Sequence, residues 1–302
     1  PDGSCQAVKA RLLLLKRIKM KFWRILFAVI FTLVLLVLAR KTTTVKSVHK
    51  TVERGGILIE HDTVPKRRGE GDVVIPVKVN GAEEVKLFYR IGKGEFQAVD
   101  MDLKEGESDL FLASIPHHKK GTKAWYYIEA QKQIGDRKLA VALPDKNSPG
   151  FKPILLKFQG HVPPYIILSH IFFIFLAIFF SVFAVFSAID LKKGKGTLKK
   201  SVAFSLLTFI FLFMGFFPLG WSLNYFIFGV LWEAFPFGSD VTDNKGQIAF
   251  LSWLVTLFLV KGTIFGRNPS KNLVSEKTYS TVVIISFVVT VAMYLVPHSL
   301  SF

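Results

Sequence analysis

Five stretches of this chain, residues 22–39, 165–189, 201–217, 247–265 and 280–297, are dominated by Phe, Leu, Ile, Val and Ala. A run of roughly 17 to 25 such residues is long enough to cross the hydrocarbon core of a bilayer as a helix. Inside that core a backbone must satisfy its own N–H and C=O groups, so a single apolar segment crosses as a helix or not at all. The pattern predicts a polytopic α-helical membrane protein with five transmembrane helices. Composition agrees: 30 of the 302 residues are Phe, far above what an ordinary soluble domain carries.

Lys and Arg outnumber Asp and Glu by 39 to 22. The basic residues gather at the ends of apolar runs, where they meet phospholipid headgroups, and this argues against nucleic acid as a partner. Their placement also orients the chain, because Lys and Arg accumulate on the cytoplasmic side. Arg17, Lys19, Lys21 and Arg24 put the N-terminus inside, and "DLKKGKGTLKK" (190–200) and "KGTIFGRNPSKNLVSEK" (261–277) do the same for two connectors. Everything between the first and second runs, and the C-terminus with it, then lies outside. We expect a multi-pass protein of a bacterial cytoplasmic membrane. Residues 1–19 read as an upstream extension preceding a natural start at Met20, and 20–40 as an uncleaved anchor, whose apolar run exceeds that of a usual signal peptide. Cys5 is the sole cysteine, so no disulfide can staple an exported domain.

Residues 41–71 are polar and aperiodic and read as a linker, with one short strand at "GILIE". From residue 72 the texture changes. "DVVIPVKV", "EVKLFYRI", "EFQAVDM", "DLFLASI", "AWYYIEAQ", "RKLAVAL" and "KPILLKF" are short, rich in β-branched or aromatic residues and separated by turn formers. Strands of this kind at near-regular spacing indicate an antiparallel sandwich over 72–159, inserted in the membrane protein. Alternation points Val85, Leu87 and Tyr89 inward from one strand and assigns Trp125, Tyr127 and Ile128 to the core from another. The order "VKLFYRIGKGEFQAVDM" then "LFLASIPHHKKGTKAWYYIEAQ" resembles the immunoglobulin or fibronectin type III-like domains of bacterial surface and secreted proteins. That resemblance covers about a third of the chain and implies a fold used for adhesion, spacing or docking. It implies no chemistry.

The remaining 160–302 reads as a four-helix membrane domain with an outer hairpin at 218–246. Pro218 should break a helix, so "LGWSLNYFIFGVLWEAF" (219–235) is expected as a short interfacial or re-entrant helix, with Trp221, Tyr225 and Trp232 at headgroup level; a sixth crossing is the alternative. Acids concentrate beside it. In "GSDVTDNKGQ" the oxygens of Asp240, Thr242, Asp243 and Asn244 could serve a cation, but the spacing departs from the EF-hand loop, and Thr242 or Asp243 as a helix N-cap explains the same residues. "IPHHKKG" (115–121), with His117, His118, Lys119 and Lys120, reads as a solvated basic loop tip, and Arg24 as a snorkelling side chain.

Two functions follow. The first is non-catalytic: a binding or assembly subunit that offers its sandwich and outer hairpin to a membrane or exported protein. Trp232, Phe235 and Phe237 would be its apolar anchors, and Asp240 and Asp243 its polar orientation points. It needs no cofactor. The alternative is a redox protein with haem or a divalent metal near the outer face, held by His170 and His298 with Glu233. His161 lies near the same surface. No Gly-rich phosphate loop, HExxH, GxSxG or paired intramembrane carboxylate is present in the sequence.

Overall fold

The computed structural model describes residues 2–43, 46–238, 241–264 and 268–296, and the chain divides into two units. One is β-rich, Val45–Pro163 together with Leu223–Leu231. The other is helical and comprises Pro1–Thr44, Pro164–Ser222 and Trp232–Phe302. The chain opens with helix α1 (Asp2–Thr43), which includes the residues 2–19 expected to precede the fold.

Strands follow: β1 (His49–Arg54), β2 (Ile57–Asp62), β3 (Lys66–Arg68), β4 (Val73–Asn80), β5 (Glu84–Ile91), β6 (Gln97–Asp100), β7 (Asp102–Leu103), β8 (Leu110–Ile115), β9 (Lys123–Ile134), β10 (Arg137–Leu143) and β11 (Ile154–Gln159). They form two sheets, ordered β1-β2-β4-β8-β7 and β3-β11-β9-β5-β6, with β10 also paired to β9. All pairings are antiparallel except β3 with β11. Side chains alternate along a strand with period two. On β4 this buries Val73, Ile75, Val77 and Val79, and on β5 it buries Val85, Leu87 and Tyr89. The inward residues of both sheets share one apolar core, so the sheets form a sandwich.

The seven expected strands are present, and two local expectations fail. Residues 41–71, expected as a linker with one short strand at "GILIE", contain that strand as β2 and two more, β1 and β3. Gly55 and Gly56, both at positive φ, turn β1 into β2, and Ile57 and Ile59 of β2 are fully buried. The polar run of β1 carries no apolar alternation, and the inward row of β2 runs past the expected stretch to His61. On β9, neighbours 127 and 128 cannot share a face. Tyr126 and Ile128 point inward, whereas Trp125 and Tyr127 lie on the opposite face. There Tyr127 stacks on Phe88 with ring centres 4.8 Å apart, and the Arg90 guanidinium lies 4.9 Å over Phe96 and 5.6 Å over Trp125. Glu129 shares this outer face and is buried by its ion pair with Lys146 and a hydrogen bond from Gln131.

The distant segment Leu223–Leu231 joins the sandwich through its backbone. The last carbonyls of any helix lack intrahelical donors. Here the Lys120 ammonium donates to the Tyr225 carbonyl at 2.7 Å, alongside the Gly229 N–H at 3.0 Å, and Gly160 N–H donates to that of Ile227 at 2.9 Å. A cation suits that negative end of the helix dipole. Gly160 has to be glycine, because a Cβ there would collide with the Phe226 carbonyl oxygen. Lys120 is thus a helix cap and not part of a solvated tip. Gly160→Val is expected to break the Gly160–Ile227 hydrogen bond and speed exchange of the residue-160 amide about five-fold, matching the ~1 kcal/mol net worth of such a bond. Hydrogen exchange read by mass spectrometry checks it; unchanged protection would show that the contact contributes nothing.

The helical unit contains α2 (Pro164–Lys192), α3 (Leu198–Met214), a π-helical turn (Gly215–Leu219) that leads into α4 (Gly220–Phe228), then α5 (Val241–Phe258), α6 (Lys261–Ile264) and α7 (Glu276–Leu295). Among the described residues four helical segments are long and apolar enough to cross a membrane: Ile18–Lys41, Pro164–Lys192, Leu198–Phe228 and Glu276–Leu295. The segment expected as the fourth crossing is α5, whose 18 residues begin "VTDNKGQ" and whose helix stops at Phe258, before the predicted end at 265. Residues 219–228 differ more plainly from expectation. They form no separate helix but continue α3, because the wider π turn absorbs Pro218, which has no N–H to donate. The Gly215 carbonyl in that turn accepts from His170 Nδ1 at 3.0 Å.

Polar side chains stitch the apolar helices together. Ser205 bonds Tyr279 at 2.9 Å, Thr256 bonds Ser286 at 2.7 Å, and the Trp253 indole N–H donates to Thr290 at 2.9 Å. Arg24 does not merely snorkel. Its guanidinium makes two bonds to the Asp190 carboxylate, at 2.6 and 2.9 Å, tying α1 to the end of α2.

Candidate functional site

The loop between α4 and α5 is built around the backbone of residues 233–238. The Asp243 carboxylate, in the first turn of α5, accepts the Glu233 N–H at 2.8 Å, and Asn244 Oδ1 accepts the Phe235 N–H at 3.0 Å. The Phe237 and Gly238 N–H groups both donate to the Ala234 carbonyl at 2.9 Å, closing a tight turn over the fully buried Ala234. Gly238 permits this closure, since a Cβ there would strike the Glu233 carbonyl. Four backbone donors within six residues are therefore held. With its backbone so constrained, the turn presents Phe235 and Phe237, which are 72 % and 84 % exposed.

The expected docking residues thus separate into three groups. Phe235 and Phe237 stand out from the turn. Trp232 does not; its ring stacks on Phe217 at 5.6 Å and meets Trp221 edge-on at 6.3 Å, so it anchors the loop to its own unit. Asp243 is buried and acts as a brace for the loop, standing inside the first turn of α5, where a carboxylate also suits the positive end of the helix dipole. Asp240 lies outside the described residues. Asn244, weighed in the sequence only as a cation ligand, is the second brace. The signal was the adjacency of two side-chain acceptors at a helix start, directly after a turn with unmet N–H groups.

Lys245 went unremarked in the sequence and is also buried, its ammonium donating to the Val296 carbonyl at 2.8 Å. Its signal was a lone cation at the head of an apolar run. Of the residues assigned to a metal or haem, His170 is partly buried with Nδ1 bonded to Gly215, Glu233 is solvent-exposed on the loop, and His298 lies outside the described residues. No group of three or more His, Cys, Asp or Glu side chains converges among the described residues. His161 is exposed, and His117 and His118 set their rings edge-on to Phe158 at 6.1 and 5.4 Å.

Fold and loop together define a class: a protein with helices long and apolar enough to cross a membrane and a β-sandwich, carrying a braced aromatic turn. No protein-family description and no curated protein matches the sequence.

Proposed function

We propose that this chain is a multi-pass protein of a bacterial cytoplasmic membrane that offers its immunoglobulin-like sandwich and its 233–238 turn to a membrane or exported protein partner, without catalysis of its own. The observation that carries the reading is the pairing of rigid backbone with exposed aromatic rings at Phe235 and Phe237. Interface energy concentrates in a few large side chains, and a surface already ordered before contact loses less entropy on binding. In this reading α5 completes a fifth crossing. Its polar first turn then lies at the outer surface beside the turn it braces, and the lysine-rich connectors stay with the cytoplasm, as the distribution of Lys and Arg favours.

A photoreactive phenylalanine analogue placed at Phe237 tests this in native membranes. The expected result is a discrete cross-linked protein band, reduced at least about five-fold when Phe235 is also changed to alanine, as loss of one anchoring aromatic costs more than ~1 kcal/mol. Cross-links to lipid alone would make the turn a bilayer anchor and defeat the proposal.

A further inference from the structure

The α2–α3 connection carries Lys192, Lys193, Lys195, Lys199 and Lys200, none of them in an ion pair among the described residues. Asp190, two residues before Lys192, gives both carboxylate oxygens to Arg24. The cluster therefore keeps its positive charge. Directly below it, a groove of about 310 Å3 opens between α3 and α6, lined by Lys199, Val202, Ala203 and Leu206 on one side and Thr263 and Ile264 on the other.

The α3 residues are spaced i, i+3, i+4 and i+7, a single face of the helix. At 1.5 Å of rise per residue the lining extends about 10 Å along the axis, with the ammonium at one end and alkyl surface beyond it. The groove belongs to a helical segment long and apolar enough to cross a membrane. A water-soluble anion would find no use for that alkyl wall, and an apolar ligand none for the lysine. A molecule with an anionic head and a hydrocarbon tail uses both. The neighbouring cavity of about 140 Å3 on the far side of the turn, lined by Ser187, Asp190, Lys195, Gly196, Thr197 and Lys200, has no such wall.

We infer that the α3–α6 groove holds one anionic phospholipid, with its phosphate against Lys199 and an acyl chain along Val202, Ala203, Leu206 and Ile264. Basic pockets at the ends of membrane helices select anionic headgroups, each lysine contributing about 1 kcal/mol near the surface. This inference stands independently of the partner reading above.

Native mass spectrometry of the full chain in neutral detergent, with phosphatidylglycerol or phosphatidylcholine added, provides the test. One phosphatidylglycerol is expected to be retained in preference to phosphatidylcholine. Lys199→Gln should weaken phosphatidylglycerol retention about five-fold, the fold-change equivalent to about 1 kcal/mol, while Lys193→Gln, which removes the same charge outside the groove, changes it by less than about two-fold. Ala203→Trp, at an exposed position, should fill the groove and lower retention of both lipids with unchanged helix content. Equal losses in Lys193→Gln and Lys199→Gln would reduce the effect to diffuse attraction, and undiminished retention in Ala203→Trp would remove the acyl chain from the groove; either overturns the inference.

Discussion

Trp253→Ala is expected to lower the stability of the helical unit by about 3–5 kcal/mol, the range for removing a fully buried large aromatic. Among the described residues Trp253 is the largest side chain with no exposure at all, and it belongs to the buried cluster that includes Val260, Tyr279 and Val283. Lipid chains are as apolar as leucine, so helices in a bilayer associate through close packing and interhelical hydrogen bonds. Removing the indole loses both. The two contributions separate by comparison with Trp253→Phe, which keeps most of the ring volume and deletes only the donor to Thr290. That bond is worth about 0.6 kcal/mol on the average for such pairs, so the phenylalanine variant should retain most of the stability. Denaturant titration in micelles, followed by circular dichroism, measures both. Equal losses in the two variants would mean that the hydrogen bond, and not packing, holds α5 to α7.

The second large effect lies in the sandwich, at a closed polar network inside the apolar core. His61 Nδ1 is 2.7 Å from the Pro76 carbonyl, His61 Nε2 is 2.8 Å from the Tyr126 hydroxyl, and the Val64 N–H donates to that hydroxyl at 2.9 Å. A carbonyl can only accept, so Nδ1 carries the proton and donates. Nε2 is then left to accept the tyrosine O–H. Every polar atom in this network is satisfied. Tyr126→Phe removes one oxygen and leaves two buried groups, Nε2 and the Val64 N–H, without partners. At about 1–3 kcal/mol for each orphaned group, the expected loss is about 2–6 kcal/mol for deletion of a single atom. Chemical unfolding of the full chain, monitored by tryptophan fluorescence, reads it out. A loss below about 0.5 kcal/mol would mean that water or a shifted backbone replaces the hydroxyl.

The same network makes the sandwich sensitive to acid. Burial is the main cause that pushes the His61 pKa below its ordinary value; the Pro76 carbonyl and Asp62 pull it back in part, and His49 adds a smaller downward push. A histidine with a depressed folded pKa binds protons more readily when unfolded. Its contribution is therefore complete above the unfolded value of about 6.5 and is lost as pH falls from there toward the folded value, by at most about 1.4 kcal/mol per pH unit. Tyr126 is shifted the other way, upward by burial, so it stays protonated throughout this range. His61→Phe should flatten the pH dependence between about 6.5 and 5, whatever its effect on stability at neutral pH.

How much of this was readable before folding differs by element. The apolar runs at 165–189 and 280–297 correspond to α2 and α7 because length and hydropathy alone decide whether a helix can cross hydrocarbon. The row Val85, Leu87, Tyr89 followed from alternation, a property of neighbouring residues. β1 is hidden by its polar run, and β2, expected as a short strand at "GILIE", runs on to His61, a residue that reads as polar until its partner Tyr126, 65 positions away, is brought to it. Trp232 passed for a docking residue because aromatic character says nothing about whether a ring faces outward or stacks on Phe217. Asp243 and Asn244 drew attention for their acceptors, but the groups that use them, the N–H donors of Glu233 and Phe235, are chosen by the path of the loop.

From the amino-acid sequence alone came the membrane class, the sheet-forming stretch and the orientation that the lysines favour, since each depends on local composition or short-range period. The tertiary structure alone decided that Pro218 bends into a π turn without ending its helix, that Arg24 meets Asp190, and that Lys120 caps a helix 105 residues away. Those outcomes rest on desolvated polar groups, whose energies depend on the partner the fold supplies and on no pattern along the chain.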